Sequence, residues 1–231
     1  MTDMRDLGIV YVTGGASGLG AAVVEAVAAA GGKPAVLDRV APESGVPHAI
    51  TDVADTAAVA SSVEQLARQV GPPDAVVTAA GTDSCGPLAT VPAEDWERVI
   101  RVNLIGTAAV VRACLPYLER SHGTVVTIGS TLGLRAAGDA TAYCASKFGV
   151  VGFSRALATE LAGRVGVTMV IPGGMRTHFF EGRDEQYKPP PDAKLSDPAD
   201  VASAIVMVLR QPEGFELREV VAAPSTEPSW P

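Results

Sequence analysis

A doubly wound α/β fold, with a mostly parallel seven-stranded sheet and helices on both faces, is predicted by three observations. Short apolar runs rich in β-branched residues alternate with longer helical stretches along the whole chain. The short runs are almost continuously apolar, as strands buried on both faces are. Glycines cluster where the first strand ends and the first helix begins, which is how a βα unit opens.

The elements follow in order. GIVYVTGG (8–15) reads as a buried strand, and LGAAVVEAVAAAGG (19–32) as a helix stopped by two glycines. KPAVLD (33–38) and HAITDV (48–53) are short strands. TAAVASSVEQLARQVG (56–71) is a helix ending in glycine, and PDAVVTAAG (73–81) is a strand. Residues 92–120 are helical throughout and are expected to form two helices meeting near Asn103. GTVVTIGS (123–130) is a strand, 141–163 a helix and VGVTMVIPGG (165–174) a strand. DPADVASAIVMVLRQ (197–211) is a helix opened by Asp-Pro, and LREVVAAP (217–224) a last strand. No linker or internal repeat interrupts the alternation, so residues 1–231 are expected to form one domain. Two segments are irregular. One is a polar, proline-rich loop over 176–197 within an irregular stretch of about 174–197, and the other is a short tail over 224–231. Long loops in compact domains are often lids.

Composition narrows the function. Hydrophobic residues make up 47% of the chain and charged ones 19%, the balance of a protein with a large core. A formal charge of −8 and the lack of a basic stripe argue against nucleic acid as a partner. Cys85, Cys114 and Cys144 form no CxxC pair, which fits a reducing compartment, and no metal is expected. The acidic start lacks a signal peptide's basic region, and no run reaches the ~18 apolar residues of a membrane span. A cytoplasmic protein without a membrane partner is the expectation.

Two local patterns carry chemistry. Gly14, Gly18 and Gly20 sit in TGGASGLG, between first strand and first helix. Glycines there let a pyrophosphate approach the backbone, and the helix N-terminus supplies free N–H groups. Asp38 ends the second strand, where an acid can accept from adenosine ribose hydroxyls and repel an added phosphate. That favours NAD over NADP, although Arg39 next to it could meet a 2′-phosphate. The second pattern is Tyr143 and Lys147, four residues apart, which a helix places on one face.

Taken with Asp52-Val53, the AAG after the fourth strand, Asn103, Ser130 thirteen residues before Tyr143, and PGGMRT after the sixth strand, these motifs resemble the short-chain dehydrogenase/reductase family in its compact, Rossmann-type form. The resemblance spans about residues 7–222. It implies an NAD-dependent oxidoreductase that interconverts a small secondary alcohol and a ketone. Tyr143 would be the general acid/base, and Lys147 would lower its pKa and bind the nicotinamide ribose. Ser130 would hold the substrate oxygen, and Asn103 a relay water. Cofactor contacts would come from Gly14, Ser17, Gly18, Leu19, Gly20, Asp38, Arg39, Asp52, Val53, Ala80, Gly81, Tyr143, Lys147, Pro172, Gly173 and Thr177, with Ile171 against the nicotinamide. Substrate would meet residues 82–94, 131–142 and 174–196, where Arg135 and Arg176 could attract an anionic group. A homodimer or homotetramer would form through helices near 103–119 and 142–162. The alternatives are an NADP-dependent carbonyl reductase and a non-catalytic NAD(H) sensor. The chain departs from the family pattern at Thr78, where asparagine is usual, and at LREVVAAPSTEPSWP, which replaces a glycine-rich ending.

Overall fold

A computed structural model describes residues 4–229; Met1–Asp3 at the acidic start and Trp230 and Pro231 in the tail lie outside the described residues. Seven parallel strands form one sheet in the order β3-β2-β1-β4-β5-β6-β7. They are β1 (Ile9–Thr13), β2 (Lys33–Asp38), β3 (His48–Ile50), β4 (Ala75–Thr78), β5 (Thr124–Ile128), β6 (Gly166–Pro172) and β7 (Glu219–Ala222). The helices are α1 (Gly18–Ala29), α2 (Thr56–Val70), α3 (Ala93–Ile100), α4 (Thr107–Ser121), α5 (Thr141–Glu160) and α6 (Pro198–Leu209). The chain winds outward from β1 to β3 and then returns to β4 on the other side of β1. That reversal opens a crevice at the carboxyl ends of β1 and β4, where open α/β sheets bind ligands.

Strand alternation divides the core into two layers. Tyr11 points to the face covered by α2, α4 and α5, with Leu66, Leu118 and Leu161. Its neighbours Val10 and Val12 point to the face covered by α1 and α6, with Val23, Val27 and Ile205. Both faces are buried, so the strands read as unbroken apolar runs.

The two helices expected to meet near Asn103 are instead continuous. Between α3 and α4, residues Arg101–Gly106 form a π-helical turn whose flanking residues keep right-handed helical dihedrals. Asn103 explains the extra residue. Its side chain reaches sideways to Thr82, while Thr107 Oγ1 donates to its carbonyl at 2.8 Å. The resulting helix, Ala93–Ser121, is long and apolar enough to cross a membrane, which corrects the expectation that no segment qualifies. Looking for uninterrupted apolar runs overlooks it, because Arg112 breaks the run. Here it packs against the sheet through Val110, Val111, Cys114 and Leu118.

Thr78 ends β4 with its hydroxyl buried and without a hydrogen-bond partner. An unsatisfied buried hydroxyl costs more than an apolar group of the same shape. Thr78→Val is expected to raise stability by about 1 kcal/mol, read by chemical denaturation.

Candidate active site

The carboxyl ends of β1, β2, β4, β5 and β6 border one cleft of about 620 Å³. The turn after β1 forms its floor. Gly14 has φ +68° and Gly18 φ +54°, left-handed conformations that favour glycine. A Cβ on Gly20 would lie 2.0 Å from the Gly14 carbonyl oxygen, so only glycine lets α1 start so close to the strand. Gly18 faces the cleft, where a Cβ would meet only Thr177, at 3.6 Å. Those glycines leave backbone and a helix N-terminus facing an open groove, which fits the pyrophosphate of a dinucleotide.

Asp38 lies beside this floor. Its Oδ2 accepts from the Ala16 N–H at 3.0 Å and its Oδ1 from the Val40 N–H at 3.3 Å, so the carboxylate also braces the glycine turn. Arg39 lines the same end of the cleft. Asp52 accepts from the Ala54 N–H and pairs with Arg98 at 3.2 Å. Burial pushes its carboxyl upward, but the Ala54 and Arg98 hydrogen bonds outweigh this and hold it below the usual carboxylate range. Arg98 borders the cleft as well and was not foreseen from the sequence.

The other end of the cleft holds Ser130, Tyr143 and Lys147. Ser130 follows β5 with extended backbone, and its Oγ accepts from the Leu132 N–H at 3.1 Å. Tyr143 and Lys147 lie one turn apart on α5, with the Lys147 Nζ 5.6 Å from the phenol ring centre. Lys147 is buried and donates to the Ile128 carbonyl at 2.9 Å. Without cofactor, burial and not the lysine dominates the phenol's pKa. Burial pushes Tyr143 up to about 12, against an opposing hydrogen bond from Ser130. Burial also pulls Lys147 down to about 8. A water-poor pocket penalises both the phenolate and the ammonium, so burial moves each pKa in the direction of the neutral form.

Of the residues expected in the site, Gly14, Ser17, Gly18, Leu19, Gly20, Asp38, Arg39, Asp52, Val53, Ala80, Gly81, Ser130, Tyr143, Lys147, Pro172, Gly173 and Thr177 all line this one cleft. Asn103 does not. Its Nδ2 donates to the Thr82 carbonyl and to Ser146 Oγ, and its Oδ1 accepts from the Thr82 N–H. The side chain clamps the segment after β4 to α5 and makes no bond to Lys147. Ile171 is buried against Val151 and Met169, off the cleft. Arg135 and Arg176 do not face it either. Arg135 donates to the Pro228 carbonyl, and Arg176 pairs with Asp197 at 3.1 Å.

The 176–197 loop folds over the cleft. A β-bridge between Met175 and Ser196 pinches its ends together, and Phe179, Phe180, Arg183 and Tyr187 form a wall beside Tyr143. The tail docks there too. Glu227 Oε2 accepts from the Gly174 N–H at 3.0 Å, and Ser229 Oγ lies 2.7 Å from Thr131 Oγ1. Glu227 and Ser229 thereby border the site. Neither was legible in the sequence, where the proline-rich tail offers no periodicity.

Comparisons with known proteins bear on the family and the fold. The chain is 32% identical to the 3-oxoacyl-(acyl-carrier-protein) reductase of Rattus norvegicus over 67% of its length, and the match spans 66% of the rat protein. It is 35% identical to a hydroxy(phenyl)methylsuccinyl-CoA dehydrogenase subunit of Thauera aromatica, over 71% of this chain and 68% of that one. The ligand-free structure of Thermoplasma acidophilum aldohexose dehydrogenase superposes with a TM-score of 0.85 at 26% identity, covering 95% of this chain and 93% of that one. Residues 8–188 match the short chain dehydrogenase family, which takes in the glycine turn, Asp38, Ser130, Tyr143 and Lys147, and the chain belongs to that family.

Proposed function

We propose that the chain is an NAD-dependent enzyme that interconverts a secondary alcohol and a ketone, as an oxidoreductase of its family acting on CH–OH. One observation carries the reading: the Ser130–Tyr143–Lys147 group and the Gly14–Gly20 turn border one continuous cleft. NAD, when bound, supplies the hydride acceptor and a positively charged ring. The other functions belong to side chains. Tyr143 exchanges a proton with the substrate oxygen, and Ser130 donates a hydrogen bond to that oxygen. Lys147 shares the buried site and offers its Nζ to the ribose and to the phenol. Gly14, Gly18 and the α1 N-terminus hold the pyrophosphate. Asp38 accepts from the adenosine ribose, for which its carboxylate turns partly from Ala16. Asp52 and Val53 hold the adenine; Ala80 and Gly81 line its ribose, while Pro172, Gly173 and Thr177 hold the carboxamide end.

The aromatic wall of Phe179, Phe180 and Tyr187 suits a substrate with an apolar body. A homo-oligomer through α4 and α5 is supported by Ile105 and Phe148, both large apolar side chains left exposed on those helices' side of the fold. The NADP-dependent carbonyl reductase is the second reading, favoured by Arg39 standing beside Asp38 at the cleft.

Turnover of a panel of secondary alcohols, followed by the absorbance of reduced nicotinamide, tests the proposal. Wild type is expected to prefer NAD over NADP. Asp38→Ala should weaken that preference by about 10-fold, the worth of one hydrogen bond to a charged group. Better turnover with NADP in the wild type would shift the assignment to Arg39. No turnover with either cofactor would overturn the enzyme reading.

A further inference from the structure

Asp83 and Arg183 are one hundred residues apart in sequence and meet beside Tyr143. Asp83 belongs to the segment after β4, Arg183 to the loop that folds over the cleft. Arg183 Nη2 donates to Asp83 Oδ2 at 2.7 Å, with the side chains only 15% and 5% exposed. Every other ion pair among the described residues has at least one side chain a third or more exposed, so this pair is placed unusually deep. The guanidinium also lies against two aromatic rings, 4.9 Å from the centre of Phe179 and 4.7 Å from that of Phe180. The Phe179 ring in turn lies 5.6 Å from the Tyr143 ring. Asp83 is anchored independently, since its Oδ1 accepts from the Ser84 N–H at 2.7 Å and its Oδ2 from Cys85 Sγ at 3.1 Å. A second tie runs alongside, from Tyr187 Oη to Asp139 Oδ2 at 3.1 Å.

From this arrangement we infer that Asp83 and Arg183 are positioning residues for Tyr143 and Lys147, and that their ion pair latches the 176–197 loop over the site and sets the charge the two groups face. The inference rests on the oxidoreductase reading above. The ionisable side chains facing Tyr143 come from every neighbouring element. They are Lys147 and Cys144 on its own helix, Asp139 just before it, Asp83 and Cys85 after β4, His178, Arg183 and Tyr187 from the loop, and Glu227 from the tail. Among these, Asp83 disfavours the phenolate and favours the ammonium, and Arg183 opposes it at the phenol. With the loop closed, the pair is neutral and the phenol loses its proton more readily. With Arg183 withdrawn, the bare Asp83 carboxylate holds the proton on Tyr143. Loop closure over substrate thus coincides with readiness for proton transfer.

Arg183→Gln, Asp83→Asn and the double variant test this. Two readouts are taken: the pH profile of alcohol oxidation, and the titration of Lys147 by NMR of isotope-labelled lysine, assigned with Lys147→Met. Arg183→Gln should raise the Lys147 midpoint and the rising limb of the profile, and Asp83→Asn should lower both. The double variant should return close to wild type. Damage to the fold would not move the two single variants in opposite directions. Equal midpoints in all four proteins, or both single variants shifting the same way, would overturn the inference. If no alcohol is turned over at all, the proposed function fails, and the NMR titration still decides on Asp83 and Arg183.

Discussion

Tyr143→Phe is expected to lower kcat for alcohol oxidation by about 10³-fold to 10⁴-fold while leaving NADH binding nearly unchanged. The substitution removes one oxygen and keeps the ring, which packs against Phe179 at 5.6 Å. The proposed cofactor contacts lie mostly at the glycine turn and Asp38, at the other end of the cleft. The loss should therefore fall on kcat, because the proton exchanged with the substrate oxygen has no other carrier at that position. Steady-state kinetics together with an NADH fluorescence titration separate the two. A variant that keeps a tenth or more of wild-type activity would show that another group carries the proton.

Lys147→Met should do two opposite things: lower kcat by at least about 100-fold and make the cofactor-free protein more stable near pH 7. Stability follows from the sign of the shift. Burial pulls the folded lysine down to about 8, from 10.5 when unfolded. Below pH 8 the lysine is charged in both states, and the folded protein bears the whole cost of burying that charge. Between 8 and 10.5 the unfolded chain binds more protons than the folded one, so wild-type stability rises with pH across this window. Methionine keeps the apolar stem and removes the charge, but leaves the Ile128 carbonyl without its donor. The shift is worth roughly 3 kcal/mol at one pK unit per 1.36 kcal/mol, and the lost hydrogen bond offsets about 1 of it. A gain of about 2 kcal/mol is expected at pH 7, shrinking as pH approaches 10.5. Urea denaturation of both proteins across this range measures it. A variant less stable than wild type at pH 7 would contradict the assigned cause.

The sheet was legible because its strands are buried on both faces. GIVYVT and TVVTI announce themselves by lacking polar alternation, and each observed strand falls inside the run that predicts it. The glycine turn was legible for a steric reason, since no other residue tolerates 2.0 Å from the Gly14 carbonyl. Tyr143 and Lys147 were legible through helical spacing. The π-helical turn was not, because Asn103 makes it by reaching Thr82 across space, and no local pattern encodes that contact. Arg183 was missed for the same reason: its partner Asp83 lies a hundred residues away, in a segment without periodicity. Arg135 and Arg176 were candidates only by sequence proximity to the motifs. In the fold they face a tail carbonyl and the start of α6. Charge alone does not say which way a loop arginine turns.

The most direct test of the account is the transfer of label from NADH deuterated on both hydrogens of its reactive ring carbon. Wild-type protein is incubated with this NADH and a panel of ketones, and the alcohol products are weighed by mass spectrometry. Wild type is expected to form alcohols carrying one deuterium on the carbinol carbon, and Tyr143→Phe is not. Tight NADH binding with no labelled alcohol from any ketone would contradict it and leave a protein that binds the dinucleotide without reducing anything.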